Sequence, residues 1–167
     1  MKKIKKLSFL VFLASCLILA SCAQAADKNT KMTLAPDFKL QDLDQNTYTL
    51  SSYKDKQAVA LFFWTTWCPY CRKAMKILNT KYPELEKNGV ELLAINVQES
   101  ASRVESFAKR EGLGFKVLLD QDAEASELFE VMGVPTYVLI NKQGNIVFRD
   151  NYFPYDEYKA LLSDNGG

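Results

Sequence analysis

The stretch Trp64-Thr65-Thr66-Trp67-Cys68-Pro69-Tyr70-Cys71 decides how the rest of the chain is interpreted. It ends Ala58–Trp64, an uninterrupted apolar run typical of a strand that is buried on both faces. Apolar residues at helical spacing follow it. Two cysteines at i and i+3 therefore lie where a strand ends and a helix begins. Because the unpaired N–H groups and the dipole of a helix N-terminus favour a thiolate, the pattern predicts that Cys68 is an activated thiol one turn from Cys71.

The composition indicates one globular domain and excludes several kinds of catalytic and metal-binding site. The chain has 167 residues, of which 48% are hydrophobic and 25% charged, and its net charge of +1 gives no electrostatic case for binding nucleic acid. Histidine is absent, which excludes catalysis by a histidine base, histidine-ligated zinc and histidine-ligated haem iron. No metal and no cofactor are expected.

The cysteine pair has alternatives to redox chemistry. A structural zinc site needs about four ligands, and the chain has no second cysteine pair to supply them. Covalent haem attachment requires Cys-x-x-Cys-His, and residue 72 is Arg. A structural disulfide that closes so short a loop stabilises little, yet it stays open as the feature of a non-catalytic binding module. Redox chemistry is the favoured interpretation.

The N-terminal residues predict a targeting segment. Four lysines precede an apolar run at 7–20, which has the layout of a secretory signal and is shorter than the ~20 residues that span a bilayer; an uncleaved anchor is the alternative. Leu19-Ala20-Ser21-Cys22 resembles the lipobox of bacterial lipoproteins, which implies lipid on Cys22 and loss of Cys16 with the signal. We expect a signal peptide at 1–21, a flexible tether at 22–33 and a folded domain at 34–167.

Hydrophobic patterning in that domain predicts an α/β fold. Strands alternate with helices after an N-terminal hairpin, and a helix is inserted after the second buried strand. The expected elements are a hairpin at 37–40 and 47–50, strands at 58–64, 90–97 and 115–119, helices from 71 to Asn88-Gly89 and at 102–111, 123–131 and 154–162, and a hairpin at 137–140 and 145–148. The sheet should be mixed and flanked by helices.

The motifs together resemble a known family. Phe-Trp-x-x-Trp-Cys-x-x-Cys after a buried strand, with Gly133-Val134-Pro135-Thr136 before a later strand, resembles the thioredoxin fold. Ala35-Pro36-Asp37-Phe38 and the stretch Ala94-Ile95-Asn96-Val97-Gln98-Glu99-Ser100 resemble the TlpA/ResA-type thiol–disulfide oxidoreductases, which are tethered to a membrane and face outward. The likeness covers about residues 34–162.

This resemblance implies roles for individual residues. Cys68 would be the attacking thiol and Cys71 the resolving one, Pro135 would be a cis-proline beside the pair, and the backbone of Val134 would hydrogen-bond a substrate chain. The other residues expected to contact substrate are Trp67, Pro69 and Tyr70.

The resemblance also implies partners. The clients would be disulfide-containing exported proteins such as apocytochromes c, and electrons would come from a thiol donor in the membrane. The protein would be held at the cell envelope by lipid on Cys22, facing the periplasm or extracytoplasmic space.

Two carboxylates usual in related proteins are missing. Thioredoxins have a buried Asp six residues before the first cysteine, where this chain has Phe62, and ResA-type proteins often have Glu three residues after the second, where it has Ala74. Glu99 is the best remaining candidate for proton handling.

A peroxiredoxin-like peroxidase is a further alternative. Peroxidatic cysteines lie in Pro-x-x-x-Thr-x-x-Cys; Thr65 matches this pattern and Leu61 does not.

Overall fold

The computed structural model describes residues 33–154 and 157–159, all within the unit Met32–Gly167. The α-helices with defined bounds are α1 (Pro69–Lys87), α2 (Ala101–Glu111) and α3 (Glu124–Leu128), and a 3-10 helix covers Leu50–Tyr53. The strands are β1 (Thr33–Leu34), β2 (Lys39–Asp42), β3 (Thr47–Thr49), β4 (Ala58–Trp64), β5 (Val90–Val97), β6 (Lys116–Asp120), β7 (Thr136–Ile140) and β8 (Asn145–Asp150).

The strands form one mixed sheet in the order β1-β8-β7-β4-β5-β6-β2-β3. Strands β4, β5 and β6 are parallel, and helices α1 and α2 supply the two crossovers between them. All other pairings are antiparallel, including the hairpins β2–β3 and β7–β8. The sheet is therefore mixed, as the sequence pattern predicted, and α2 is the helix expected after the second buried strand.

Strand β4 divides the interior into two cores. Every residue of β4 is buried, and successive side chains point to opposite faces of the sheet. Phe62 and Trp64 pack with the apolar side chains of α1 and α2, whereas Leu61 and Phe63 pack on the other face with Phe129. Because both faces are covered, the carboxyl end of β4 is held firmly where the cysteine motif begins.

Several elements differ from the sequence expectation. The hairpin strand expected at 37–40 is Lys39–Asp42, and Leu50, expected in the second hairpin strand, begins the 3-10 helix. Thr33, expected in the tether, lies in strand β1 and pairs with Ile146 of β8. Helix α3 is shorter than the expected 123–131, since Ala123 and Glu130 have left-handed backbone conformations with φ of 63° and 48° and so lie outside the helix.

Several expectations fall outside the described residues. These are the signal at 1–21, nearly all of the tether at 22–33, Cys16 and the lipidation site Cys22. Of the expected helix at 154–162, residues 157–159 are described and are helical. In the described part of the chain, no helix combines the length and the apolar character that crossing a membrane requires.

Candidate active site

Cys68 forms the N-cap of α1. Its backbone is extended, and its Sγ accepts a hydrogen bond of 3.1 Å from the backbone N–H of Cys71. Pro69 occupies the first helical position, where its missing N–H has no helical acceptor to lose. Cys68 and Cys71 are joined by a disulfide with Cα atoms 5.2 Å apart, within the usual range for such bonds. The pair can therefore alternate between a disulfide and a dithiol whose first sulfur lies in the field of the helix N-terminus.

The two sulfurs differ in accessibility. Cys68 keeps 3% of its surface exposed and Cys71 keeps none. This difference favours Cys68 as the residue that an incoming sulfur reaches first, and the attacking and resolving roles stay predictions. Around Cys68 the side chains of Trp67 and Tyr70 are 62% and 71% exposed, and Pro69 is exposed as well. These three residues form an apolar rim at the entrance to the site.

The loop before β7 covers the pair from the other side. The Val134–Pro135 peptide bond is cis, as the resemblance implied, and the carbonyl oxygen of Val134 lies 3.6 Å from Cys68 Sγ. Asn151 Nδ2 donates to the Pro135 carbonyl at 2.6 Å, and Thr136 Oγ1 donates to the Gly133 carbonyl at 2.6 Å. The predicted residues Cys68, Val134 and Pro135 are thus brought together, although Cys68 and Val134 are 66 positions apart in the chain.

Apolar side chains occupy the positions of the two missing carboxylates. Phe62 is fully buried and stacks on Tyr137 with a centroid distance of 5.1 Å, and Ala74 is buried in the same cluster as Cys71. Burial in apolar surroundings disfavours a thiolate. The resolving sulfur of Cys71 therefore depends on groups other than these two positions to accept its proton.

Glu99, the candidate for proton handling, is buried beneath the motif. Its side chain is 6% exposed and accepts hydrogen bonds from the backbone N–H of Thr66 at 2.6 Å, from Thr66 Oγ1 at 2.6 Å and from Asn96 Nδ2 at 2.8 Å. Within the described residues these hydrogen bonds reach neither sulfur. A role in proton transfer stays a prediction. No local pattern marked Thr66 as a partner of Glu99, since the two lie 33 positions apart; Asn96 lies three positions before Glu99.

A groove of about 730 Å³ opens beside the cysteine pair. Trp67 and Val134 line its end near Cys68, and Met132, which is 96% exposed, stands on its edge. Sequence reasoning missed Met132; its place directly before Gly133-Val134-Pro135 was the available signal. The groove gives room for a polypeptide segment next to Cys68.

Two alternatives to thiol exchange, a peroxidase and a metal site, can be compared with the local structure. Thr65, the residue that matches the peroxidatic pattern, is buried, and its hydroxyl has no hydrogen-bond partner among the described residues. Leu61, at the proline position of that pattern, is part of β4. No group of three or more Cys, Asp or Glu side chains in the described ranges could hold a metal ion.

Comparisons with known proteins agree with this geometry. The model of the AhpC/TSA family matches residues 32–149. The thiol-disulfide oxidoreductases ResA of Geobacillus thermodenitrificans and Bacillus subtilis are 42% and 39% identical to the chain over 112 and 113 residues, which is 67% and 68% of this chain. The match spans 64% and 63% of the length of these relatives, slightly less than two thirds.

A solved structure shows the same fold. A candidate thiol:disulfide interchange protein DsbE from Chlorobium tepidum superposes with a TM-score of 0.69 at 25% identity, covering 80% of this chain and 94% of that one. The expected thioredoxin-like fold, a mixed sheet flanked by helices, is thereby confirmed.

Proposed function

The chain belongs to the AhpC/TSA family, and from this premise we propose that it is a thiol–disulfide oxidoreductase of the ResA type. Its substrates are disulfides in exported proteins such as apocytochromes c. It works at the outer face of a membrane, held there by lipid on Cys22. The observation that carries the proposal is the redox pair Cys68–Cys71, with Cys68 at the N-terminus of α1 and next to the Val134 carbonyl.

The reaction proceeds in two exchanges. The thiolate of Cys68 attacks one sulfur of the client disulfide; the client S–S bond breaks, its electron pair leaves with the other client sulfur, and a mixed disulfide forms. Cys71 then loses its proton and attacks Cys68 Sγ, which releases the second client thiolate and forms the Cys68–Cys71 disulfide. The client gains the two electrons that the protein sulfurs lose. Its two thiolates take up two protons, one equivalent to that lost by Cys71 and one equivalent to that released to solvent when the Cys68 thiolate formed. A dithiol donor in the membrane reduces the pair again by the reverse steps.

The surroundings of Cys68 support a polypeptide as substrate. The rim of Trp67, Pro69 and Tyr70 presents exposed apolar surface, and the groove continues from it past Met132. Exposed aromatic side chains next to a concave surface are typical of sites that bind other chains. The backbone of Val134 offers a main-chain hydrogen-bonding group to an extended client segment.

A trapping experiment tests the proposal. Cys71→Ser removes the resolving sulfur, so a client attacked by Cys68 remains attached as a mixed disulfide that a reducing agent releases. Expressed in its native host, this variant should capture exported cysteine-containing proteins. The matched control Cys68→Ser keeps the buried sulfur and should capture none.

Two other results would contradict the proposal. Capture of equal amounts by both variants would show that attack does not depend on Cys68. A reduction potential below about −300 mV, together with failure of the reduced wild-type protein to reduce disulfide peptides, would indicate a structural disulfide in a binding module.

A further inference from the structure

The buried carboxylate of Glu99 holds one residue of the cysteine motif, Thr66, by two hydrogen bonds. Thr66 donates to Glu99 through both its backbone N–H and its hydroxyl, each at 2.6 Å, one to each carboxylate oxygen. Asn96 adds a third donor at 2.8 Å. Hydrogen bonds to a charged acceptor are stronger than those between neutral groups, and they gain further strength where water is excluded.

Thr66 is held from its other side as well. Its carbonyl oxygen accepts a 2.9 Å hydrogen bond from Arg72 Nε. Arg72 belongs to the first turns of α1, and its guanidinium lies 5.9 Å from the centre of the Phe107 ring. Every polar group of Thr66 is therefore bonded, to the loop after β5 on one side and to α1 on the other. The segment between β4 and α1 has little freedom to move at this point.

The place of Thr66 in the chain gives these contacts a consequence for Cys68. Thr66 lies two residues before Cys68, whose Sγ must remain 3.1 Å from the Cys71 N–H for the helix N-terminus to act on it. The stabilisation of a thiolate by a helix N-terminus falls off within one turn, so it is sensitive to the position of the N-cap. A loosened Thr66 would let the N-cap residue drift out of this geometry.

We propose that Glu99 is a positioning residue for disulfide exchange: it fixes Thr66, and through Thr66 it keeps Cys68 at the N-terminus of α1. The inference deepens the proposed function and rests on it for its biological meaning. Glu99 acts without touching the reacting atoms, since its hydrogen bonds within the described residues go to Thr66 and Asn96.

A direct electrostatic role makes the opposite prediction. A negative charge near Cys68 disfavours a second negative charge on its sulfur. If charge were the main effect, removing it by Glu99→Gln would make Cys68 a better thiolate. If positioning is the main effect, Glu99→Gln makes Cys68 a poorer one, because an amide NH₂ then faces donors that need an acceptor.

The experiment compares two variants that disturb the same contact in different ways. Glu99→Gln removes the charge, whereas Thr66→Val keeps the charge and the shape of residue 66 and removes only the hydroxyl donor. Both are made in the Cys71→Ser background, and the rate of alkylation of Cys68 by iodoacetamide is measured from pH 5 to 10. We expect both variants to react at least threefold more slowly at pH 7 and to show a higher pH midpoint of reactivity.

Controls separate this role from general damage. Thr66→Ser retains the hydroxyl and should restore the wild-type profile, and Glu105→Gln removes an exposed carboxylate of α2 that is paired with Lys109 and should leave it unchanged. Unfolding in urea, measured for each variant, shows whether it is folded at the assay temperature. Thr66→Val decides the matter if Glu99→Gln is unfolded, because Glu99 then keeps its charge, the donors Thr66 N–H and Asn96 Nδ2, and Arg103 at 3.9 Å.

Three outcomes overturn the inference. Faster alkylation in Glu99→Gln with an unchanged Thr66→Val would assign Glu99 an electrostatic role. A profile whose midpoint stays at the wild-type pH in both folded variants would leave Glu99 with a structural role only, as would a Thr66→Ser profile matching that of Thr66→Val. Alkylation needs no client, so these results stand apart from the trapping experiment, and failure of the wild-type protein to exchange disulfides would count against the proposed function alone.

Discussion

Replacing Trp67 with Ala tests whether the apolar rim binds clients. Trp67 is 62% exposed, so of the roughly 200 Å² of a Trp side chain about 120 Å² remains open to a partner. A client segment that covers half of this area gains about 1.5 kcal/mol at ~25 cal/mol per Å², which corresponds to roughly a twelvefold change in rate. Trp67→Ala should therefore slow exchange with a peptide disulfide about tenfold.

The assay measures two substrates in parallel. Stopped-flow rates are recorded for the reduced protein with a ten-residue peptide carrying a mixed disulfide, and with a small disulfide such as oxidised 2-mercaptoethanol. The small reagent needs only Cys68, so its rate should stay within twofold of the wild-type rate. The free energy of unfolding should change by less than about 0.5 kcal/mol, as is usual for exposed positions away from special features.

Leu34→Ala serves as the matched control. Leu34 is 61% exposed, almost the same fraction as Trp67, and it pairs with Asn145 at the end of the sheet opposite the cysteine pair. Its removal should leave both rates unchanged. Equal slowing of the peptide and the small disulfide by Trp67→Ala would refute the reasoning, because it would show that the indole acts on Cys68 itself and not on the client.

Three further predictions concern other parts of the chain. In the reduced protein, limiting iodoacetamide should label Cys68 before Cys71, because only Cys68 caps α1 and keeps exposed surface; mass spectrometry that found Cys71 labelled first would reverse the assignment. Cys22→Ala should abolish lipidation and membrane partitioning in a bacterial host, and a lipidated mutant would show that Leu19-Ala20-Ser21-Cys22 is not a lipobox. Burial, with a smaller contribution from Glu91, raises the pKa of Tyr53 to about 12, so unfolding the chain above pH 10 releases a proton and stability falls as the pH rises from about 10 to 12; Tyr53→Phe should lessen that fall in urea titrations, and an unchanged pH slope would contradict it.

Two of the three parallel strands, β4 and β5, could be predicted from the sequence to the residue, whereas β6, expected at 115–119, is Lys116–Asp120. Ala58–Trp64 is an apolar run, Val90–Val97 is apolar apart from Glu91 and Asn96, and their bounds coincide with β4 and β5. A strand that is buried on both faces is apolar at nearly every position, so the sequence itself shows where the strand begins and ends. The strand β1 was not expected as an element, since two residues cannot show a period and its pairing with β8 is set by tertiary contacts.

The residues of the candidate site also differ in how far the local sequence predicts their roles. The role of Cys68 at a helix N-terminus depends on neighbours within one turn, so local sequence was sufficient to predict it. The burial of Glu99 depends on Thr66, 33 positions away, and on the close packing of two loops. Sequence reasoning identified Glu99 as a candidate through the absence of other carboxylates, and only the structure shows which groups it binds.

The distance along the chain between Cys68 and Val134 has a consequence for biogenesis. The two halves of the site are 66 residues apart and meet only when β7 pairs with β4. At a synthesis rate of about 5–20 residues per second, the cysteines leave the ribosome roughly 3–13 seconds before the loop that covers them. During that interval the nascent chain carries Cys68 and Cys71 without the loop that covers them. The arrangement of Cys68 beside the Val134 carbonyl therefore exists only after β7 has paired with β4.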